Sequence, residues 1–305
     1  PVTARVRGPL GLSARQASID VPGAVRSRPP FASRKHLPSR LARLRELEGL
    51  AAVRVRGQGT EFDSLREYVR GDDVRSIDWR ASARSRSVVV RTWQPERDRH
   101  VVIVVDTSRT SAGRVELRGV AAPRLDESIE AALLLASLAA RAGDRIDVVA
   151  GDRAIRAQVR AKGARDIAAR VQDQLADVQP ALVEADWTLL AGEIGRLARR
   201  RALVVLLTSL EPGAIEESLL PVLPTLASRH QVVVASVRDP ALERLRESRG
   251  DLDEVYAAAA AEQTLGRKQD TVAILGALGV DVLDSVDLAP TLADHYLLLK
   301  AAGRL

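Results

Sequence analysis

The chain has no cysteine and no methionine, and it has only four histidines among 305 residues. The lack of cysteine excludes disulfides, thiolate metal sites and thiol nucleophiles. The histidines lie at positions 36, 100, 230 and 295, and no two of them have the spacing of metal ligands. A zinc site built from cysteine and histidine is therefore excluded as well.

Long apolar runs and aromatic side chains are also scarce. The longest apolar stretches, such as Val101–Val105, are far shorter than the roughly 20 residues that span a bilayer. Aromatic residues make up 3% of the chain, which argues against nucleic-acid binding by base stacking. The sequence begins at Pro1 without a signal-peptide pattern, so we expect a piece of a longer protein. We expect it in the cytoplasm, and at the cytoplasmic face of the membrane if an anchor lies upstream.

The net charge of +6 is unevenly distributed. Residues 1–100 carry 21 Lys and Arg against 11 Asp and Glu, so the basic part is the first third of the chain. Such asymmetry bears on association with acidic partners rather than on the fold.

Short continuous apolar runs alternate with longer stretches of helical periodicity from residue 101 onward. This alternation is typical of a buried parallel sheet covered by helices, and it predicts an α/β, doubly wound, mostly parallel fold. The predicted strands are 101–106, 145–150, 202–209, 231–237 and 280–286, with an antiparallel hairpin strand at 154–159. The predicted helices are 126–142, 164–178, 189–200, 215–228, 252–278 and 288–302.

Three regions are predicted along the chain. Residues 1–35 are interpreted as the end of a small β-module, because Gly-Pro, Pro-Gly and Pro-Pro pairs interrupt them. Residues 36–100 begin with a linker helix over 38–50, where leucines recur every three residues. Within this region we expect a helical turn near residues 61–68, and we expect Val88–Val90 to enter the main sheet. Residues 101–305 form the α/β domain.

Oxygen-bearing side chains follow the first predicted strand of that domain. Asp106, Ser108 and Thr110 offer a carboxylate and two hydroxyls at alternate positions, which suits Mg²⁺. A metal-ion-dependent adhesion site has this arrangement, together with a hydroxyl from a later loop and a carboxylate after a later strand. Thr188 is the candidate hydroxyl, whereas Ser209 occupies the place of the carboxylate. A missing negative charge weakens a divalent-cation site, although Thr208, Ser209 or Glu211 could still act through a bridging water.

Two other interpretations of Asp106 remain open. The side chain could cap the turn that ends the strand. It could also be the nucleophile of a phosphotransfer or hydrolytic enzyme. Phosphatases of the haloacid-dehalogenase type have a second Asp two residues on, where this chain has Ser108, and no response-regulator partner set is visible.

The most informative stretch is residues 57–93, which contains Gly-Gln-Gly-Thr-Glu-Phe, Leu-Arg-Glu-Tyr, Gly-Asp-Asp-Val-Arg-Ser-Ile-Asp-Trp and Ser-Ala-Arg in this order. The stretch resembles the signature of the DUF58 family. The matching residues that we take as family signature and candidate partner surface are Glu61, Phe62, Arg66, Tyr68, Asp72, Asp73, Arg75, Asp78, Trp79 and Arg84. Gly71 and Ser82 match too.

The resemblance implies a von Willebrand factor A-like, Rossmann-type domain and a non-enzymatic protein-binding or adaptor role. It also implies a partner, a MoxR-type AAA+ ATPase, and upstream transmembrane helices in many members. The alternating charges of the signature fit an internal ion-pair network that ties the segment to the sheet. Alternatively, Arg66, Arg75 and Arg84 meet an acidic protein surface. A catalytic carboxylate pair of Asp72 and Asp78 is the least favoured alternative.

Overall fold

A computed structural model describes residues 2–20, 27–54, 61–85, 87–94, 99–117, 119–161 and 166–305. Within these ranges, the side chains at positions 2, 50–54, 61–64, 92–94, 117 and 120 are outside the description.

The first 99 residues form short elements ahead of the main sheet. They are β1 (Val2–Arg7), β2 (Ala14–Ile19), a 3₁₀ turn (Ala32–His36), α1 (Leu37–Arg54), β3 (Glu61–Glu67), a second 3₁₀ turn (Val74–Ser76), α2 (Trp79–Ser82) and β4 (Val89–Gln94). Strands β1 and β2 pair as an antiparallel hairpin. The predicted linker helix is present as α1.

Two expectations for this region are wrong. Residues 61–67 are a strand and not a helical turn, and they pair antiparallel with β4. The valines at 88–90 consequently do not enter the main sheet, because β4 takes its backbone partners from β3. A run of three valines predicts a strand, but it does not tell which strand will be its partner.

The α/β domain contains most of the regular structure. Its elements are β5 (His100–Asp106), α3 (Arg109–Ala112), β6 (Arg114–Leu117), β7 (Val120–Pro123), α4 (Arg124–Arg141), β8 (Arg145–Gly151), β9 (Ile155–Ala161), α5 (Ile167–Leu175), α6 (Trp187–Leu197), β10 (Leu203–Leu207), α7 (Pro212–Ala214), a π-helical turn (Ile215–Leu219), α8 (Leu223–Arg229), β11 (Gln231–Val237), α9 (Pro240–Glu247), α10 (Leu252–Ala277), β12 (Asp281–Ser285) and α11 (Leu288–Ala301).

Six of these strands form one sheet in the order β12-β11-β10-β5-β8-β9. All neighbours are parallel except β8 and β9, which form the predicted hairpin. The predicted mixed α/β fold with a mostly parallel sheet is thus confirmed, and each predicted strand lies within two residues of an observed one. Helix α9 and the hairpin of β6 and β7 were not predicted.

The sheet has a packed core on each face. Val101, Ile103 and Val105 of β5 face a core that α1, α4, α5 and α11 cover. Val102 and Val104 face a second core, which is covered by α6, the 215–219 turn, α8 and α10. Strands that are buried on both sides must be apolar at every position, which is why they appear as continuous rather than alternating runs.

Linker helix α1 is anchored to the first core. Leu44 is buried there, and Arg40 pairs with Asp294 of α11 at 2.7 Å. Just before the helix, the Glu130 carboxylate of α4 accepts the backbone N–H groups of Ala32 and Ser33 at 2.7 and 2.9 Å. None of the helices within the described ranges combines the length and the apolar content that a membrane span requires.

Candidate functional site

The order of the strands in the sheet places the candidate site between β5 and β10. From β5 the strands proceed to β8 and β9 on one side, and β10 then begins the series on the other side. The loops after β5 and β10 therefore leave the sheet edge in opposite directions and open a crevice, which is where α/β sheets of this kind bind ligands. Asp106 ends β5, and Thr208 follows β10.

The Asp106 carboxylate is the centre of a hydroxyl cluster in this crevice. Its Oδ1 accepts the backbone N–H of Ser108 at 2.8 Å. Its Oδ2 accepts two hydroxyls, from Thr110 at 2.9 Å and from Thr208 at 2.6 Å. The Ser108 and Thr110 hydroxyl oxygens lie 3.2 Å apart. With 1% of its surface exposed, Asp106 depends on these donors to replace water.

The neighbouring turn of the β8–β9 hairpin holds this loop in place. The Thr107 hydroxyl donates to Asp152 at 2.8 Å, and Arg156 donates to the same carboxylate. Burial disfavours the charged form of Asp152, but the hydrogen bonds from Arg156 and Thr107 outweigh it and lower its pKa. Gly151 lies at a point where an added Cβ would stand 2.8 Å from the Ala154 carbonyl oxygen, so the hairpin requires glycine there.

Arg109 crosses the mouth of the crevice. Its Nε donates to Glu184 in the loop before α6, and its Nη1 donates to Glu211 after β10 at 2.9 and 3.1 Å. The hydrogen bonds to Glu184 and then to Glu211 raise the pKa of Arg109 above its already high value. Arg109 is thus a fixed cation that joins the loops following two different strands.

A shallow pocket that is open to solvent lies over the cluster; the roughly 200 Å³ of space at this point includes open solvent, and no enclosed volume large enough for a water molecule lies within it. Its lining residues are Asp106, Ser108, Thr110, Glu184, Ala185, Trp187, Thr208, Ala214, Ile215 and Ser218. The structure thus brings together three of the five predicted metal-site residues. The other two are not among the lining residues, because Thr188 is an exposed residue in the first turn of α6 and Ser209 lies one residue beyond Thr208.

At the end of β10 it is Thr208, one of the alternatives to Ser209, whose hydroxyl contacts Asp106, and at the start of α6 it is Trp187 rather than Thr188 that lines the pocket. The strand register explains the first result: Leu207 of β10 is level with Val105 of β5, so Thr208 comes level with Asp106. Glu184 and the role of Arg109 were missed because their partners are distant in sequence.

The donor set fits a divalent cation only in part. Carboxylate and hydroxyl oxygens are of the type that Mg²⁺ takes, but the cluster holds a single carboxylate, which already accepts three hydrogen bonds. Glu184, the other acid of the pocket, is bound to Arg109. Within the described residues, no three acidic or histidine side chains come together in a way that could hold a metal. These residues therefore do not form a tight metal site.

The signature segment, by which we mean the described part of residues 57–93, forms ion pairs between its own residues. Arg66 pairs with Asp72 at 2.6 Å, and Arg91 pairs with Asp78 at 2.8 Å. Asp78 also accepts the N–H groups of Arg80 and Ala81 at the start of α2. The Arg66 hydrogen bond is the main cause of the lowered pKa of Asp72, and the Ala81 N–H, followed by Arg91, is the main cause for Asp78.

These contacts bear on the interpretations of the segment as an internal ion-pair network or as a catalytic carboxylate pair. The internal network exists, but among the described residues its ion pairs join residues 66–91 to one another rather than to the main sheet. Asp72 and Asp78 each have an arginine partner of their own, so the geometry does not make them a catalytic pair. Asp73 caps the 3₁₀ turn through the Arg75 N–H, and Tyr68 donates its N–H to the Val88 carbonyl. Arg84 and Trp79 are exposed, and the side chains of Glu61 and Phe62 lie outside the described residues.

Comparison with solved structures gives a distant likeness. A PilB minor pilin from Streptococcus sanguinis is 11% identical, with a TM-score of 0.44 over 72% of this chain and 65% of that chain. A mutant of the same pilin gives 12% identity and a TM-score of 0.42.

Relatives in sequence are uncharacterized proteins of Mycobacterium tuberculosis and Mycobacterium bovis. They are 27% identical over 186 residues, which is 60% of this chain and 56% of theirs, so the match spans little more than half of their length. The family model described as "Protein of unknown function DUF58" matches residues 64–271, a range that runs from the signature segment through the crevice to α10. The chain therefore belongs to the DUF58 family.

Proposed function

We propose that this chain is a protein-binding or adaptor module on a von Willebrand factor A-like domain, with no enzymatic activity of its own. The crevice at the carboxyl edge of the sheet is its recognition site. The observation that carries the proposal is the Asp106 hydroxyl cluster at the point where the strand order reverses.

The strand order supports the domain type. Counted within the sheet, the chain order is 3-2-1-4-5-6 with an antiparallel third strand, and the Asp-x-Ser-x-Thr run follows the first strand. A degenerate metal-ion-dependent adhesion site accounts for the combination of a retained Asp106, Ser108 and Thr110 with Thr208 and Ser209 where a carboxylate is expected.

The geometry favours binding over catalysis. A nucleophilic Asp106 would need a free carboxylate oxygen and a second acid or base beside it. Here both oxygens accept hydrogen bonds, and the nearby Glu184 is held by Arg109. Phosphatase turnover tests the enzymatic alternative, and we expect none above background; turnover that disappears in Asp106→Asn would overturn the proposal.

The partner that we propose is a MoxR-type AAA+ ATPase, and the location that we propose is the cytoplasm or the cytoplasmic face of the membrane. The partner is what the resemblance of the signature residues to the DUF58 family implies, and the location follows from that partner. The exposed, negatively charged mouth of the crevice, with Glu184 and Glu211 around one arginine, would receive a basic or hydrogen-bonding group of the partner.

Calorimetric titration of the ATPase into the chain tests the partner and the site together. Asp106→Asn removes the charge, and Ser218→Trp fills the pocket mouth without touching Asp106. Ser228→Trp is the matched control, because Ser228 is exposed at the end of α8, just before the amino-terminal end of β11. We expect binding that both pocket variants weaken about tenfold or more and the control leaves unchanged. Absence of binding, or equal binding by all variants, would refute the proposal.

Mg²⁺ enters the proposal as a weakly held ion. Asp106, Ser108 and Thr110 would supply its oxygens, with Thr208 and waters completing the shell. Thermal unfolding with Mg²⁺ and Mn²⁺ measures the effect, because a ligand that binds the native state alone raises its stability. We expect little stabilisation of the unmodified chain and a clear gain in Thr208→Asp, because position 208 faces Asp106, and no such gain in Ser209→Asp. A strong gain in the unmodified chain that Asp106→Ala abolishes would show a working metal site.

A further inference from the structure

The signature segment exposes more large apolar side chains than its size explains. Trp79 is 69% exposed, Val74 is 62% exposed and Val69 is 61% exposed. Leu65, on β3, and Val88, directly before β4, are also exposed. Single exposed apolar residues are normal, but five within 24 residues of one folded segment indicate a surface that is covered in use.

Local hydrogen bonds fix this surface in shape. Asp78 caps α2 through two backbone N–H groups, so Trp79 stands at the first position of that helix. The α2 turn is held to β4 by Ser82, whose hydroxyl accepts the Val89 N–H at 2.9 Å. A tryptophan on a pre-formed turn loses little freedom on binding, which is a property of interface anchors.

The charges around Trp79 are unbalanced because the acids of the segment are already engaged. Asp72 and Asp78 are paired with arginines, Asp73 caps a 3₁₀ turn, and Glu67 accepts the Ser87 hydroxyl at 2.7 Å. In contrast, four arginine side chains have no hydrogen-bond or ion-pair partner within the described part of the chain, and all four are exposed. They are Arg70, Arg75, Arg80 and Arg84.

Arg80 and Arg84 are four residues apart across the α2 turn, where the Arg84 N–H donates to the Ala81 carbonyl at 3.0 Å. Arg84 lies two residues beyond the end of α2. The turn that carries Trp79 therefore has one exposed arginine within it and a second one directly after it. Tryptophan and arginine are the side chains that contribute most often to the centres of protein–protein interfaces.

We propose that Trp79 and the four free arginines form a docking surface for a protein partner that presents an acidic, apolar segment. Trp79 inserts among the partner's apolar side chains, the exposed Val69 and Val74 of the same segment add apolar surface, and the arginines pair with carboxylates of the partner. A protein partner fits better than single-stranded nucleic acid, because one aromatic side chain amid aliphatic ones is a poor stacking platform for successive bases.

This inference rests on the proposed function only in the claim that the chain binds proteins, and it places a second contact away from the Asp106 pocket. The occupant is distinguished from nucleic acid and membrane by three probes. They are a short amphipathic peptide of glutamate and leucine, an oligothymidylate, and vesicles of phosphatidylcholine with phosphatidylglycerol. Each is titrated into the chain while binding is followed by fluorescence anisotropy or co-sedimentation.

The test compares Trp79→Ala and the charge-reversing pair Arg80→Glu with Arg84→Glu against matched controls elsewhere. Tyr256→Ala is the control for Trp79, because Tyr256 on α10 is 68% exposed, and Arg244→Glu is the control for the arginines. We expect the peptide to bind, Trp79→Ala to weaken it about tenfold or more, the arginine variant to weaken it further, and the controls to bind as the unmodified chain does.

Three results would overturn the inference. They are equal peptide binding by Trp79→Ala and Tyr256→Ala, no peptide binding by the unmodified chain, and preferential binding of the oligothymidylate or of the vesicles that Trp79→Ala abolishes. Failure of the proposed function appears separately, as an ATPase that does not bind or that is indifferent to Asp106→Asn. The peptide assay gives its answer in either case.

Discussion

Replacing Thr208 by valine removes one hydroxyl from the Asp106 cluster while keeping the shape of the side chain. The lost hydrogen bond is 2.6 Å long and ends on a carboxylate that is 1% exposed, so water cannot replace it without rearrangement. Hydrogen bonds to charged groups contribute about 1.5–3 kcal/mol, and we expect Thr208→Val to lower the free energy of unfolding by about 2 kcal/mol. For a chain of 305 residues the melting temperature would fall by about 3 °C.

Thr271→Val is the matched control. Thr271 is 2% exposed, but its hydroxyl donates at 3.0 Å to the Arg267 carbonyl of its own helix, which has other hydrogen-bonding capacity. We expect a loss under about 1 kcal/mol for this variant. Urea unfolding in the presence of EDTA measures both variants, so that no divalent cation takes the place of the hydroxyl. Equal losses for the two variants would refute the view that Asp106 is held by the hydroxyl cluster.

Three further predictions concern the parts that hold the crevice and the linker. Lys300→Met leaves the buried Asp144 with one partner fewer, and we expect urea unfolding to show that the free energy of unfolding falls by about 3–5 kcal/mol. Lys268→Met is the control, and we expect a much smaller fall because its ion pair with Asp284 is more exposed. Glu130→Ala removes the acceptor for two backbone N–H groups ahead of α1, so hydrogen exchange in the first turns of α1 should become faster while exchange in the sheet stays unchanged; unchanged exchange in α1 would contradict this role. The pKa of Asp152 is lowered in the folded chain, so its stabilising contribution is complete above about pH 4 and is lost as the pH falls towards the folded pKa. Melting temperatures measured from pH 6 downwards should therefore decline less in Asp152→Asn than in the unmodified chain. Parallel declines in the two proteins would show that Asp152 does not cause the loss of stability in acid.

The strands of the main sheet could be predicted because the pattern that indicates each strand is local in the sequence. Strands such as β5 and β10 contain unbroken apolar runs, and their burial on both faces leaves little choice of structure. The family signature was also readable, since its residues are close together in sequence. The pairing of β3 with β4 was not readable, because partner choice depends on contacts between segments that periodicity does not encode.

The candidate site could be predicted only for the residues that come from a single loop. Asp106, Ser108 and Thr110 come from one loop and lie together as expected. The contribution of β10 depends on a register that places Thr208, and not Ser209, beside Asp106. A shift by one residue turns a side chain to the other face, and the sequence alone does not fix that choice.

The central claim is that the chain recognises a protein through the crevice above Asp106. Photo-crosslinking tests it most directly, with a benzophenone side chain placed at position 188, which is exposed beside the pocket without lining it, and, separately, at position 228 at the end of α8. We predict a crosslink to the MoxR-type ATPase from position 188 that is lost in the Asp106→Asn background and absent from position 228. Equal crosslinking from both positions, or none from position 188 when the two proteins are bound, would contradict the account.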